Sequence, residues 1–170
     1  MSISKAILND VAELVSLINN AYRGENSSRG WTSESHLLTG KRIDEEMLTE
    51  YISQKNSTLL KYLDEAGQIA GCVYLEEQTE KLYLGMLTVS PDLQASGIGR
   101  RLLEAAEQYA KTINKQMITM TVITTRHELL SWYERRGYKR TGKILPFHAN
   151  EKFGKPKAHI ELEVLEKEVK

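Results

Sequence analysis

The segment that most restricts what this chain can become is residues 87–103, Leu-Thr-Val-Ser-Pro-Asp-Leu-Gln-Ala-Ser-Gly-Ile-Gly-Arg-Arg-Leu-Leu. A strand-like run ends at Pro91, two closely spaced glycines follow, and then Ile98, Leu102, Ala106, Tyr109, Ala110 and Ile113 recur on one helical face. The start of a helix carries NH groups without partners and a partial positive charge, and glycines there let an anion approach the main chain closely. Residues 94–100 therefore read as a cradle for phosphate, to which Arg100 and Arg101 could add full charges. Two glycines alone would equally describe a plain turn. The spacing is neither G-x-x-x-x-G-K nor G-x-G-x-x-G, since no third glycine or following lysine stands where those mechanisms need one. Nucleotide hydrolysis and hydride transfer recede accordingly.

Around this segment the chain alternates strand and helix signals. Residues 2–8 read as an edge strand. Asp10 and Glu13 stand at capping-box spacing before a helix with Val11, Leu14, Val15, Ile18 and Tyr22 on one stripe. Residues 23–41 form a polar loop that also holds Trp31, Thr32, Leu37 and Leu38, which either pin it to the core or line a pocket. A second helix starts near Asp44, with Ile43 and Leu48 as a hydrophobic staple, and ends before Asn56. Strands follow over residues 57–63, 68–77 and 81–90, and their short connections make them antiparallel neighbours. The helix at 97–112 leads to a strand at 118–122, a short helix at 128–135 ending at Gly137, and strands at 138–141 and 158–165. In the last strand Ile160, Leu162 and Val164 alternate with Glu161 and Glu163, which predicts the apolar set on the inner face.

The chain has 170 residues, enough for one core, so a single domain over 1–170 is expected. Its 23 basic and 23 acidic side chains give no global field toward nucleic acid or an anionic membrane. The first residues lack the apolar stretch of a secretory signal and no run is long enough to span a bilayer, which points to a cytoplasmic protein. Cys72, the only cysteine, sits in an apolar run and reads as a buried structural thiol. His36, His127, His148 and His159 are scattered without H-E-x-x-H spacing, so no metal site is expected.

Gln94, Gly97 and Gly99 match the Q/R-x-x-G-x-G/A signature of the GNAT superfamily of N-acetyltransferases, and Tyr133-Glu134-Arg135-Arg136-Gly137-Tyr138 resembles that family's Y-E-x-x-G-F/Y segment. The order of elements is similar as well. The resemblance implies an α/β (α+β) fold: a mixed, mostly antiparallel sheet of about seven strands with about four helices, splayed between its fourth and fifth strands. It implies acetyl-CoA as cosubstrate, with the main chain of Gln94, Ala95, Ser96, Gly97, Ile98, Gly99 and Arg100 around the pyrophosphate. Leu87, Thr88 and Val89 would be the strand along which pantetheine lies, pairing through the backbones of Leu87 and Val89. An NH near Leu87 would polarise the thioester carbonyl. Tyr133 would be the general acid that protonates the departing thiolate.

Many family members have asparagine seven residues before that tyrosine, where this chain has Arg126. Arg126 then either meets a phosphate or an acidic substrate, or is an ordinary surface arginine. Glu76 and Glu77 are candidates for the general base, with water as the other choice; strand alternation sends them to opposite faces, so only one can face the cleft. His148 and Glu34 are reserve candidates. The acceptor is a small-molecule or protein amine whose identity stays open, and a homodimer is also left open. The rival reading from another class is a noncatalytic acyl-CoA sensor or partner-binding domain, against which Tyr133 speaks.

Overall fold

The computed structural model describes residues 2–22, 38–39, 42–94, 96–147, 155–156 and 159–170. The elements are β1 (Ser2–Lys5), a 3-10 turn (Leu8–Asp10), α1 (Val11–Tyr22), β2 (Leu38–Thr39), α2 (Glu45–Ser53), β3 (Ser57–Leu63), β4 (Ile69–Glu77) and β5 (Leu82–Val89). After a 3-10 turn (Pro91–Leu93) come α3 (Ile98–Thr112), β6 (Met117–Ile123), α4 (His127–Glu134), β7 (Lys139–Pro146), β8 (Lys155–Pro156) and β9 (Glu161–Glu168). The main sheet has seven strands in the order β1-β3-β4-β5-β6-β9-β7, and β2 pairs with β8 apart from it. Every pairing in the main sheet is antiparallel except β5 with β6. This is the mixed, mostly antiparallel sheet with four helices that the sequence predicts.

Each face of the sheet is covered by helices whose apolar stripes explain their placement. On one face α1 and α2 bury Leu14, Ile18 and Leu48 against Leu59, Cys72 and Met86. Asp44 caps α2 by accepting the Met47 NH at 2.8 Å, and the staple residues Ile43 and Leu48 are both fully buried. On the other face α3 and α4 bury Leu102, Leu103, Ala106 and Tyr133 against Leu84, Leu87, Ile118 and Met120. Burial pushes the Cys72 thiol up to about 12, so the structural reading of this residue fits its surroundings.

Several local expectations need correction: the last two strands run over Lys139–Pro146 and Glu161–Glu168 rather than 138–141 and 158–165, and Leu38–Thr39 of the expected loop is a strand. The N-terminal strand stops at Lys5, and Asp10 and Glu13 do not form a capping box. Asp10 accepts the Ile7 NH at 2.8 Å and pairs with Lys61 at 2.7 Å, while Glu13 reaches across to the Ile69 NH at 3.1 Å. Both carboxylates are taken by long-range partners. In β9 the inner face is held by Glu163 and Leu165 rather than by Leu162 and Val164. Glu163 is buried because Arg140 of neighbouring β7 meets it through two nitrogens, the shorter contact being 2.6 Å. The same guanidinium, with burial opposing, keeps the Glu163 carboxyl below the usual carboxylate range.

The feature that positions the site lies in β5. Cys72 is opposite Thr88 and Tyr74 is opposite Gly85, so Val73 alone faces both Met86 and Leu87: a β-bulge, with Met86 in the left-handed region at φ 53°. The bulge turns Met86 to the α1–α2 face and leaves Leu87 on the α3 face. Pairing with β6 is confined to Leu82–Ile118 and Tyr83–Thr119, after which the two strands part.

Gly71 of β4 lets α3 come down beside this opening. A Cβ there would lie 2.9 Å from the Thr88 carbonyl oxygen and 3.1 Å from both Ile98 Cγ2 and Leu102 Cδ1. Gly71→Ala is therefore expected to destabilise the fold by about 1–3 kcal/mol, as overpacking does in tight cores. A urea titration of both proteins checks this, and an unchanged midpoint would mean that α3 yields freely.

Candidate active site

Gly97 is the N-cap of α3 at φ 86°, a conformation that favours glycine, and the space where its Cβ would point is open to 4 Å. No side chain caps this helix and no acidic residue stands in its first turn. The first intrahelical bond from Arg101 NH to the Gly97 carbonyl, at 3.1 Å, leaves the NH groups of Ile98, Gly99 and Arg100 as the usual unpaired donors of a helix start. Gln94 turns away from them and donates to the Val89 carbonyl at 2.9 Å, bracing the turn against the end of β5. The Ser96 hydroxyl is bonded to the Leu93 carbonyl. Ala95 lies outside the described residues. The Arg100 side chain is largely exposed at the mouth, with Glu104 3.9 Å away.

A cavity of about 500 Å³ opens on this turn, and its far wall is Trp132 and Arg136 of the α4 segment. The sequence reading did not single out either residue for this role. Arg136 lies flat on the Trp132 indole, 3.9 Å from the ring centroid, and donates to the Trp132 carbonyl at 2.9 Å. Its Nε is buried without a partner. Burial lowers the pKa of this guanidinium, and the nearby charges of Arg135 and Arg100 add to the effect. An anion in the cavity would relieve both costs.

Beyond the turn, the opening between β5 and β6 exposes main chain. The Leu87 carbonyl accepts the Tyr22 hydroxyl at 2.7 Å, and the Val89 carbonyl is held by Gln94. The carbonyls expected to meet pantetheine thus already have side-chain donors. Thr88 is fully buried, paired with Cys72, and its hydroxyl donates to the Met86 carbonyl at 2.9 Å, so its side chain serves the bulge.

Tyr133 is buried in the second turn of α4. The left-handed turn at Gly137, φ 94°, brings Tyr138 back so that its NH meets the Tyr133 carbonyl at 3.2 Å and its ring lies edge-on at 5.8 Å. Trp132 packs on the other side at 5.1 Å. Burial pushes the Tyr133 phenol well above its ordinary value; Tyr22 and Tyr138 add to this, Arg126 opposes it, and Tyr83 contributes. Tyr22 and Tyr83 stand at the two ends of the β5 opening, so the Tyr133 hydroxyl lies within electrostatic reach of both. Arg126 begins α4 and adds positive charge near that hydroxyl.

Of the two glutamates, Glu76 is on the α1–α2 face, where it accepts the Tyr74 hydroxyl at 2.9 Å; alternation turns Glu77 away. Trp31, Thr32, Glu34, His36, Leu37 and His148 lie outside the described residues, and of Leu38 only the backbone is described. Among the described residues there is no cluster of His, Cys, Asp and Glu that could hold a metal ion.

A family model described as an acetyltransferase (GNAT) domain matches residues 27–148. The chain belongs to the GNAT acetyltransferase family. Solved structures agree in fold. The smu.2055 protein of Streptococcus mutans superposes with a TM-score of 0.75 at 15% identity, covering 100% of both chains. The ribosomal-protein-alanine N-acetyltransferase of Brucella melitensis gives 0.74 at 19% identity, over 99% of each chain. The IAA acetyltransferase of Bacillus cereus gives 0.66 at 15% identity, over 98% of each chain. The GNAT fold carries a general capacity for acetyl-CoA, and the residues present fit that molecule: an open glycine-lined helix start and an orphaned buried Nε in a cavity lined by Arg100 and Arg136.

The tyrosines make the electrostatics measurable. Burial raises Tyr74 to about 12 and moves Tyr138 and Tyr133 upward as well. Each holds its proton more tightly folded than unfolded, so their contribution to stability is complete below about pH 10 and is lost as pH rises beyond it. Absorbance titration at 295 nm should show Tyr74, Tyr133 and Tyr138 ionising only above about pH 10, together with unfolding. All eight ionising in one step while the fold persists would refute this picture.

Proposed function

We propose that this protein transfers the acetyl group of acetyl-CoA to a primary amine by direct attack, with Tyr133 as the general acid. The observation that carries the reading is the position of the Tyr133 phenol: buried, protonated at neutral pH, and within electrostatic reach of the tyrosines that bound the β5 opening. A noncatalytic sensor would need the cradle but not this proton.

Acetyl-CoA supplies the activated acyl group as a thioester. The remaining work falls to the chain. The NH groups of Ile98, Gly99 and Arg100 and the Arg136 guanidinium bind phosphate oxygens at the helix start. Main-chain NH groups beside the bulge at Met86 and Leu87 direct partial positive charge at the carbonyl oxygen where negative charge develops. As the new C–N bond forms and the C–S bond breaks, Tyr133 gives its hydroxyl proton to sulfur, and the amine's proton leaves toward Glu76, directly or through water. Arg126 stabilises the phenolate that remains, until solvent returns a proton.

Two measurements test this. Tyr133→Phe removes one hydroxyl and keeps the ring that packs on Trp132 and Tyr138. It should lower kcat for thiol release by about 100- to 10,000-fold with little change in acetyl-CoA affinity or melting temperature. Undiminished kcat in the folded variant would leave the proton to water. Arg136→Gln should weaken CoA binding by about 10- to 100-fold in a calorimetric titration, because it removes a charge-assisted contact. Equal affinity of variant and parent would place the phosphates elsewhere.

A further inference from the structure

The α1–α2 face beside the β5 opening holds two opposite charges without an ion pair among the described residues. Asn19 of α1 fixes the backbone at residues 42 and 43 through three bonds: its Oδ1 accepts the NH groups of Arg42 at 2.7 Å and Ile43 at 3.1 Å, and its Nδ2 donates to the Ile43 carbonyl at 2.9 Å. Arg42 is thereby held with its guanidinium over the Tyr22 ring, 5.4 Å from the centroid, while the Tyr22 hydroxyl touches the Leu87 carbonyl. On the same face an aromatic cluster reaches Glu76. Tyr51 and Tyr74 lie 4.5 Å apart, Tyr74 and Tyr83 6.4 Å apart, and the Tyr74 hydroxyl donates to Glu76. The Tyr51 phenol, raised first by its burial, is lowered by Arg42 and raised by Tyr83, Glu76 and Glu50, so it lies within electrostatic reach of both charges.

Arg42 and Glu76 are both half-buried, and neither forms an ion pair among the described residues. Two other sets of partly buried charges meet directly, Lys61 with Asp10 and Lys167 with Glu107, both at 2.7 Å. Partial burial without pairing costs free energy that a ligand could recover. A ligand carrying only ammonium charge would be attracted by Glu76 and the tyrosine faces but repelled by Arg42. One that also carries a carboxylate satisfies both ends, since a guanidinium binds a carboxylate in a two-point fork.

We infer that the acceptor of this enzyme is an amine that also bears a carboxylate, an amino acid or a short peptide, with Arg42 receiving the carboxylate and the Glu76–Tyr51–Tyr83 wall receiving the ammonium end. This rests on the acetyltransferase reading of the same site and adds the substrate class to it. Acetyl-CoA-dependent thiol release is followed with a panel of L-amino acids and with their C-terminal amides, which keep the amine and lose the carboxylate charge. The parent should prefer the acids. Arg42→Gln should raise KM for the acids by about 10- to 100-fold and leave KM for the amides and the melting temperature unchanged, and Arg42→Lys should recover part of the loss. Thiol release on amides as efficient as on acids, or an Arg42→Gln effect shared equally by both sets, overturns the inference and leaves the acetyltransferase reading standing. If no member of the panel releases thiol, calorimetric titration of the CoA-bound protein with the same acids and amides decides the subsite by itself. Tighter binding of acids, lost in Arg42→Gln, supports it; equal binding of acids and amides, or none, rejects it.

Discussion

The early end of the β5–β6 pairing is the constraint on which the rest of this molecule depends. A seven-stranded sheet with a gap near its middle carries main-chain groups that must be satisfied without a neighbouring strand. One solution is visible. The Leu87 and Val89 carbonyls are taken by the Tyr22 hydroxyl and the Gln94 amide. The free NH groups at the start of α3 are neither capped nor countered by acidic side chains, and the glycine turn keeps them open. Such exposed donors suit an anionic partner, and the phosphate groups of CoA, which the GNAT fold accommodates in general, have that character.

The glycine turn and the helix that follows it were legible in the sequence because they are local. The proline, the glycines and the amphipathic repeat of residues 98–113 sit within a few turns of one another, and each dictates backbone conformation directly. Gly97 takes its left-handed φ and α3 begins one residue later, as the pattern requires. The YERRGY segment is legible for the same reason, since Gly137 folds Tyr138 back onto Tyr133 within a single turn. The strands of the β3–β4–β5 meander are fixed to within a residue by short turns and alternation.

What escaped was set by partners far along the chain. Alternation assigned the inner face of β9 to Leu162 and Val164, but Arg140 makes Glu163 the better-matched buried residue, and no pattern within β9 carries that information. Capping-box spacing at Asp10 and Glu13 lost to Lys61 and the Ile69 NH, both more than fifty residues distant. In the sequence Arg136 stands only as a member of the YERRGY segment, with no role of its own. Its place on the cavity wall follows from how α4 packs beside the start of α3, and an arginine directly before the turn glycine was the only available hint.

The same distinction separates the two halves of the site. The donor cradle lies against the α3–α4 face and is built from consecutive residues; the charged and aromatic wall lies on the α1–α2 face and draws on α1, α2, β4 and β5. The bulge at Met86 is what joins them. By making Val73 face two residues it sends Met86 to one face and keeps Leu87 on the other, so a single kink serves both sides of the sheet. Side chains on the acceptor face can therefore differ without disturbing the glycine turn, because the sheet itself stands between them. On the proposed reading, choice of amine falls to long-range packing around Asn19, Arg42 and Tyr51, and acetyl-CoA binding to a short stretch of chain.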